Sequence, residues 1–422
     1  MNSFDQIIGY ENIKEELKWY CDILKNPERY EKMGVCGPRG ILLHGVPGVG
    51  KSLIAKSFIK ESGLNAYTLR KNLPNGDFVK EIKSVFDKAM ENAPSIVFLD
   101  DVDKFANCDY SHTDAEEYVT IQSCIDECKD KRVFVFSTAN DKHFLPDSLL
   151  RPGRFDKVIE IGLPSKEESE KIIQFYLKDK KVDKDVDSKE IAGIIAGNSC
   201  AVLESVVNEA GILAAYRKKK KIQREDLVYA CVRMIHGAPV AVDLGNKENA
   251  SIVALHEAGH VVVAEVRSPG SVGAAYLGCE SGHIQGFAVI KCKEDHNYNM
   301  ESREFEILHI LGGKAALEII KGMQDIGCRS DLQEAFDTIR NMAVRTCTYG
   351  FEAFESEHLF PSENKRSQIE EIVVREADRY YKQSKKIIAE NRLFVGAVMA
   401  ALLEKRILTQ KEIAVIKENL TE

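Results

Sequence analysis

The chain has 422 residues and a mass of 47.3 kDa, room for two to four domains at roughly 100–200 residues each. Hydrophobic residues make up 44% and charged residues 29%, with 28 Gly and 11 Pro, which excludes a collagen-like or largely disordered chain. A net charge of −8 argues against a dedicated nucleic-acid binder, whose footprint is basic.

From residue 1 to about Pro164 the pattern is α/β with a parallel sheet. Ile41–Leu43, Ser95–Leu99 and Arg132–Ser137 are predicted strands. Lys51–Glu61 is a predicted helix, and so is Phe78–Asn92, where Phe78, Ile82, Val85, Phe86 and Ala89 recur at helical spacing. Between Ser165 and about Met234 strand signals vanish, and Lys166–Lys178 and Ala201–Arg217 are predicted amphipathic helices. The basic run Arg217–Lys221 is expected to be a solvated helix end, favoured by the helix dipole. Ala238–Asn249, with Pro239 and Gly245, is a predicted connector. Beyond it the chain is mainly helical, with one β-like patch at Gly273–Cys292. The expected division is an α/β unit at 1–164, a helical lid at 165–237, a linker at 238–249 and a mainly helical domain at 250–422. The apolar run Val395–Leu403 is far shorter than the ~20 residues of a membrane helix. Met1–Gln6 lacks the basic and apolar regions of a secretory signal, so a soluble cytoplasmic protein is expected. Eleven scattered cysteines without a C-x-x-C pair fit reduced, packing thiols.

Gly45-Val46-Pro47-Gly48-Val49-Gly50-Lys51-Ser52 matches G-x-x-x-x-G-K-[ST], between a predicted strand and a predicted helix. The glycines let backbone N–H groups curl around phosphates, and the helix N-terminus adds positive potential. Lys51 would reach the β- and γ-phosphates of ATP, and Ser52 would bind Mg²⁺. The apolar strand Ser95–Leu99 ends in Asp100 and Asp101, where parallel sheets bind ligands. Asp100 would hold Mg²⁺ through water, and Asp101 would orient the attacking water.

His256-Glu257-Ala258-Gly259-His260 is an H-E-x-x-H motif in a helical stretch. Positions i and i+4 share a face, so both imidazoles can meet one Zn²⁺. Glu257 can take a proton from the attacking water. A catalytic zinc usually has three protein ligands, and the motif supplies two.

Phe4–Gly9, the phosphate loop, Ser95–Asp103, Ser137–Asn140 and Leu149–Asp156 together resemble the AAA+ ATPase module. The resemblance implies that Ile7 and Ile8 pack the adenine and that Asn140 senses the γ-phosphate. It also implies that Arg151 and Arg154 are arginine fingers reaching a neighbouring subunit's nucleotide, hence a ring, most often a homo-hexamer. His256–His260, Leu311–Ala316 and Gly327–Leu332 resemble the peptidase domain of FtsH-family proteases. That family completes its zinc site with an Asp early in a later helix, which matches Asp331, with Glu334 and then His309 as alternatives. The resemblance implies an ATP-dependent zinc metalloendopeptidase acting on unfolded or misfolded polypeptides. An AAA+ remodeller with weak or no threading, and an ATP-independent zinc peptidase on a degenerate ring, remain alternatives.

Four departures from the family bear on these alternatives. The sequence opens at the ATPase module, where the family carries membrane helices ahead of it, so either a naturally soluble member or a trimmed chain is expected. Asp101 stands where Glu is usual. Ser199-Cys200-Ala201-Val202 stands for Ser-Gly-Ala-Asp, which alters a sensor contact. The pore-loop segment Leu69–Phe78 has no aromatic beside a Gly, leaving Leu73 and Phe78 as the candidate gripping residues.

Overall fold

A computed structural model describes residues 3–72, 75–107, 115–236, 247–280, 283–290, 299–325, 327–354 and 362–420. The chain divides into two compact units, Met1–Ala230 and Cys231–Glu422.

In the first unit, α1 (Glu11–Lys25) and the short α2 (Pro27–Glu31) precede β1 (Gly40–His44), α3 (Lys51–Ser62), β2 (Asn65–Leu69), α4 (Asn75–Glu91), β3 (Ser95–Leu99), α5 (Ala115–Glu127), β4 (Val133–Ala139) and β5 (Lys157–Glu160). The five strands form a parallel sheet in the order β2-β3-β4-β1-β5. Alternation along the buried strands builds two cores, because successive side chains leave opposite faces. Leu42, Val97, Leu99 and Val135 join Phe78, Ile82, Phe86 and Ile125 from α4 and α5. Ile41, Leu43, Ile96, Phe98, Phe134 and Phe136 join Leu17, Ile54 and Phe58 from α1 and α3. The predicted strands are therefore the fully buried central ones. The edge strands β2 and β5 went unpredicted because most of their side chains are exposed and carry no apolar run.

Helices α6 (Lys166–Leu177), α7 (Ser188–Ile195), α8 (Cys200–Tyr216) and α9 (Arg224–His236) follow. A capping box starts α6, with Ser165 and Glu168 each satisfying the other's backbone N–H. The basic run 217–221 is more tied down than expected: Arg217 and Lys219 both reach the buried Asp226, at 3.0 and 2.9 Å. The connector reading of 238–249 falls largely outside the described residues.

The second unit is built around α10 (Lys247–Arg267), buried along most of its length. The β-like patch resolves into β6 (Val272–Glu280) antiparallel to β7 (His283–Ile290). Helices α11 (Met300–Ile310), α12 (Gly312–Ala316), α13 (Arg329–Val344), α14 (Glu363–Glu390) and α15 (Arg392–Lys405) follow, then β8 (Ile407–Thr409) and α16 (Gln410–Glu418). Three-residue β8 pairs with β6, giving the order β7-β6-β8; no sequence signal marked it. A π-helical turn, Leu317–Lys321, follows α12 directly. Helices α10 and α12 meet at Gly259 and Gly312, where a Cβ on Gly259 would lie 2.3 Å from the Gly312 carbonyl oxygen. The run Val395–Leu403 lies in α15, whose Val395, Val398 and Leu402 belong to this core. Among the described residues no helix is long and apolar enough to cross a membrane.

Candidate active sites

The nucleotide-loop residues gather at the C-terminal ends of β1, β3 and β4. Gly48 and Gly50 take positive φ (85° and 97°), which bends the loop before α3. Lys51 Nζ donates to the carbonyls of Gly45 (2.6 Å) and Val46 (3.1 Å) and to Asn140 Oδ1 (3.1 Å). Burial lowers the Lys51 pKa, and Asp101, Asp103 and Asp100 oppose that shift. Ser52 Oγ donates to Asp100 Oδ1 at 3.2 Å, so the two candidate Mg²⁺-binding groups touch. Two further residues position the site. Thr138 Oγ1 donates to Asp100 Oδ1 (2.9 Å), and Asp103 Oδ2 accepts from the Asn140 N–H (3.0 Å). Both lie inside the AAA+-like segments Ser137–Asn140 and Ser95–Asp103, but neither is among the residues given a role from the sequence.

Asp101 sits in the left-handed region (φ 56°) at the end of β3. Its Oδ2 is 2.6 Å from Lys104 Nζ and 4.0 Å from an Arg70 guanidinium nitrogen. Val49 is buried, while Val46, Pro47 and Gly48 are exposed. The start of α8 packs on this loop: the Ala201 N–H donates to Gly48 O (3.0 Å), and Cys200 Sγ lies 3.7 Å from Val49 O. Ile7 and Ile8 line a cavity of about 530 Å³ with Lys171 and Phe175 of α6. Arg151 is exposed. Arg154 makes a fork to Asp126 in its own chain, with Nε at 3.1 Å and Nη2 at 2.8 Å, and donates to Ser148 O at 2.6 Å. Phe78 is no gripping residue: it is fully buried, edge-on to Phe105 with ring centroids 5.2 Å apart. Leu73 lies outside the described residues.

In the second unit α10 puts His256 and His260 on one face, with their Nε2 atoms 2.9 Å apart. Asp331, in the first turn of α13, brings Oδ2 to 3.1 Å from His256 Nε2 and 3.5 Å from His260 Nε2. His260 Nδ1 donates to His309 O at 2.7 Å. A carbonyl can only accept, so the proton is on Nδ1 and the neutral ring's Nε2 carries a lone pair. His256 Nδ1 likewise faces Asp325 Oδ2 at 2.7 Å. Two imidazole Nε2 atoms and a carboxylate oxygen thus converge, and among the described residues the buried Asp331 Oδ2 faces no polar group but those imidazoles. Such a cluster can hold a cation, and two His with one carboxylate is a donor set zinc takes. His256, His260 and Asp331 are the described His, Cys, Asp and Glu residues whose donor atoms meet closely enough for one ion, all within 4.8 Å. Gly313 leaves the room: a Cβ there would lie 2.5 Å from His256 Cε1 and 2.6 Å from His260 Nε2.

The two carboxylates beside His256 favour positive charge there, whether a proton or a metal ion. Burial opposes charge on His256, but Asp325 and Asp331 outweigh it and push its pKa up to about 10. Asp331 is held well below the usual carboxylate range by the two imidazoles, against the effect of its burial. Glu257 is buried, which raises its pKa, while His260 and His256 pull it back. Gly286 of β7 fits against it, since a Cβ there would lie 2.5 Å from Glu257 Cγ. The alternative ligands do not join the cluster. His309 contributes its backbone carbonyl, and burial pushes its imidazole down to about 3. Glu334 lies outside the group.

A family model described as ATPase family associated with various cellular activities (AAA) matches residues 41–163, and one described as Peptidase family M41 matches 244–416. The ATP-dependent zinc metalloprotease FtsH 2 of a Thermoanaerobacter species is 31% identical over 99% of this chain and 83% of its own length. The chain belongs to the FtsH family of ATP-dependent zinc metalloproteases. The FtsH protein of Caldicellulosiruptor bescii is 30% identical over 97% of this chain and 71% of its own length. That of Lactiplantibacillus plantarum is 33% identical over 85% and 49%. Family membership accounts for both motifs at once, with the ATPase match ahead of the peptidase match in the chain.

Proposed function

We propose that this chain is an ATP-dependent zinc metalloendopeptidase that degrades unfolded or misfolded polypeptides, working as a homo-hexameric ring. The observation that carries the reading is the convergence of His256, His260 and Asp331 beside Glu257, in a chain with a complete phosphate loop. Zinc held by His256, His260 and Asp331 would supply Lewis-acid polarisation of the scissile carbonyl and would acidify a water. Glu257 takes that water's proton and returns it to the leaving amine; its burial, which raises its pKa, makes the carboxylate a stronger base. Lys51 and the loop N–H groups hold the ATP phosphates, Ser52 and Asp100 hold Mg²⁺, and Asn140 and Asp101 place the attacking water. Arg151 and Arg154 act on a neighbour's nucleotide, for which Arg154 exchanges Asp126 for phosphate oxygens.

A second reading, weak threading, is favoured by the burial of Phe78 and by the ion pair that engages Asp101 with Lys104. Casein degradation with and without ATP, and with and without a zinc chelator, tests both readings. The main reading expects loss on removing either ATP or zinc. Cleavage indifferent to ATP would leave a peptidase on a structural ring, and no cleavage at all would leave a remodeller.

A further inference from the structure

An imidazole that binds a metal through Nε2 keeps a proton on Nδ1, and that proton needs an acceptor. The two histidines of α10 meet this need differently. His260 donates to a neutral backbone carbonyl, His309 O, and His256 donates to a carboxylate, Asp325 Oδ2, both at 2.7 Å. Asp325 lies 69 positions from His256, in the segment between the π-helical turn and α13. Its side chain is 6% exposed. It is clamped from its own side as well: Oδ1 accepts the Gly327 N–H at 2.8 Å, and its carbonyl oxygen lies 3.3 Å from Cys328 Sγ. The preceding turn is anchored through Glu318, which accepts from Tyr381 Oη (2.6 Å) and Lys385 Nζ (3.1 Å). Asp325 and Asp331 therefore bracket His256, one on each ring nitrogen.

We propose that Asp325 is a positioning residue for the metal centre. Its carboxylate fixes the His256 tautomer with Nε2 free, locks the ring plane and raises the donor strength of Nε2 through a charge-assisted hydrogen bond. His256 becomes the stronger imidazole arm, because His260 has only a carbonyl behind it. The assignment rests on reading His256, His260 and Asp331 as the zinc ligands.

Its test is zinc affinity, measured on the full chain by competition with a chromophoric chelator, with thermal unfolding of the metal-free variants as the control for folding. Asp325→Ala should bind zinc about 10- to 100-fold more weakly. Asp325→Ser can still cap the Gly327 N–H but is too short to reach His256, so it should be as weak as the alanine variant. Asp325→Asn keeps an acceptor without the charge and should fall between. It also carries the test alone if the other two do not fold. Unmodified affinity in any variant that folds overturns the proposal, and recovery by Asp325→Ser alone would reduce Asp325 to a turn former. His256→Ala separates the two levels of the argument. Zinc binding that survives this substitution sinks the ligand reading itself, whereas its loss there beside unmodified affinity in Asp325→Ala sinks only the role of Asp325.

Discussion

The metal centre and the nucleotide site are organised differently. At the metal centre the donor atoms already face one another: three groups meet within 4.8 Å, and each imidazole is held from behind. At the nucleotide site the key groups are held by protein partners instead. Lys51 rests on two carbonyls and Asn140, Asp101 on Lys104, and Arg154 on Asp126. The first arrangement is a preformed trap for a small cation. On the proposed roles, the second would trade internal bonds for ligand bonds at each turnover, so its rate should be open to adjustment through those partners.

The largest expected effect strikes the preformed site. Glu257→Gln should lower cleavage of proteins and short peptides about 10²–10⁴-fold while keeping about one zinc per chain, read by peptide hydrolysis and metal content. Asp331→Asn should lower both zinc content and cleavage. Full zinc and full cleavage in that variant would put the third ligand elsewhere. Next comes Arg154→Ala, which should still bind ATP but hydrolyse it about 10²–10³-fold more slowly in a steady-state ATPase assay. Short-peptide cleavage should be spared; a parallel loss would mean that the metal centre is not independent of the nucleotide site. Gly313→Ala drives a methyl against His256 and His260, and should cost about 1–3 kcal/mol in thermal unfolding together with zinc affinity. The smallest effects belong to the exchangeable partners. Asp126→Asn should speed ATP hydrolysis a few-fold by releasing Arg154. Lys104→Ala and Asp101→Glu should leave it unchanged or slightly faster. A large loss in either would show a site built around the short acid and its lysine.

Much of this was legible in the sequence where function depends on neighbours along the chain. His256 and His260 are one helical turn apart, and the phosphate loop is a contiguous octapeptide, so spacing alone exposed them. Asp331 was reachable only through family resemblance, because a lone Asp at a helix start is ordinary. Asp325 gave no signal: its partner is 69 positions away, and nothing in its neighbours distinguishes it from a loop carboxylate. Strands followed the same rule. Central β1, β3 and β4 announce themselves by uninterrupted burial. Short β8 exists only because β6 is there to pair with it. Phe78 was open to two readings until Phe105, 27 positions on, closed over its ring.

The contact of Gly259 with Gly312 changes what the zinc motif means as a search string. Two of its five letters are conventionally wild cards, yet here the second wild card has one permissible value. A scaffold search that accepts any residue there would return helices unable to bring α12 close enough to leave Gly313 under the imidazoles. The usable description is a pair of strings, H-E-x-G-H in one helix and the Gly-Gly step opening another, read jointly. A saturation library at position 259 should be recovered almost entirely as glycine. Position 258, whose alanine sits in the apolar core, should accept the other small residues.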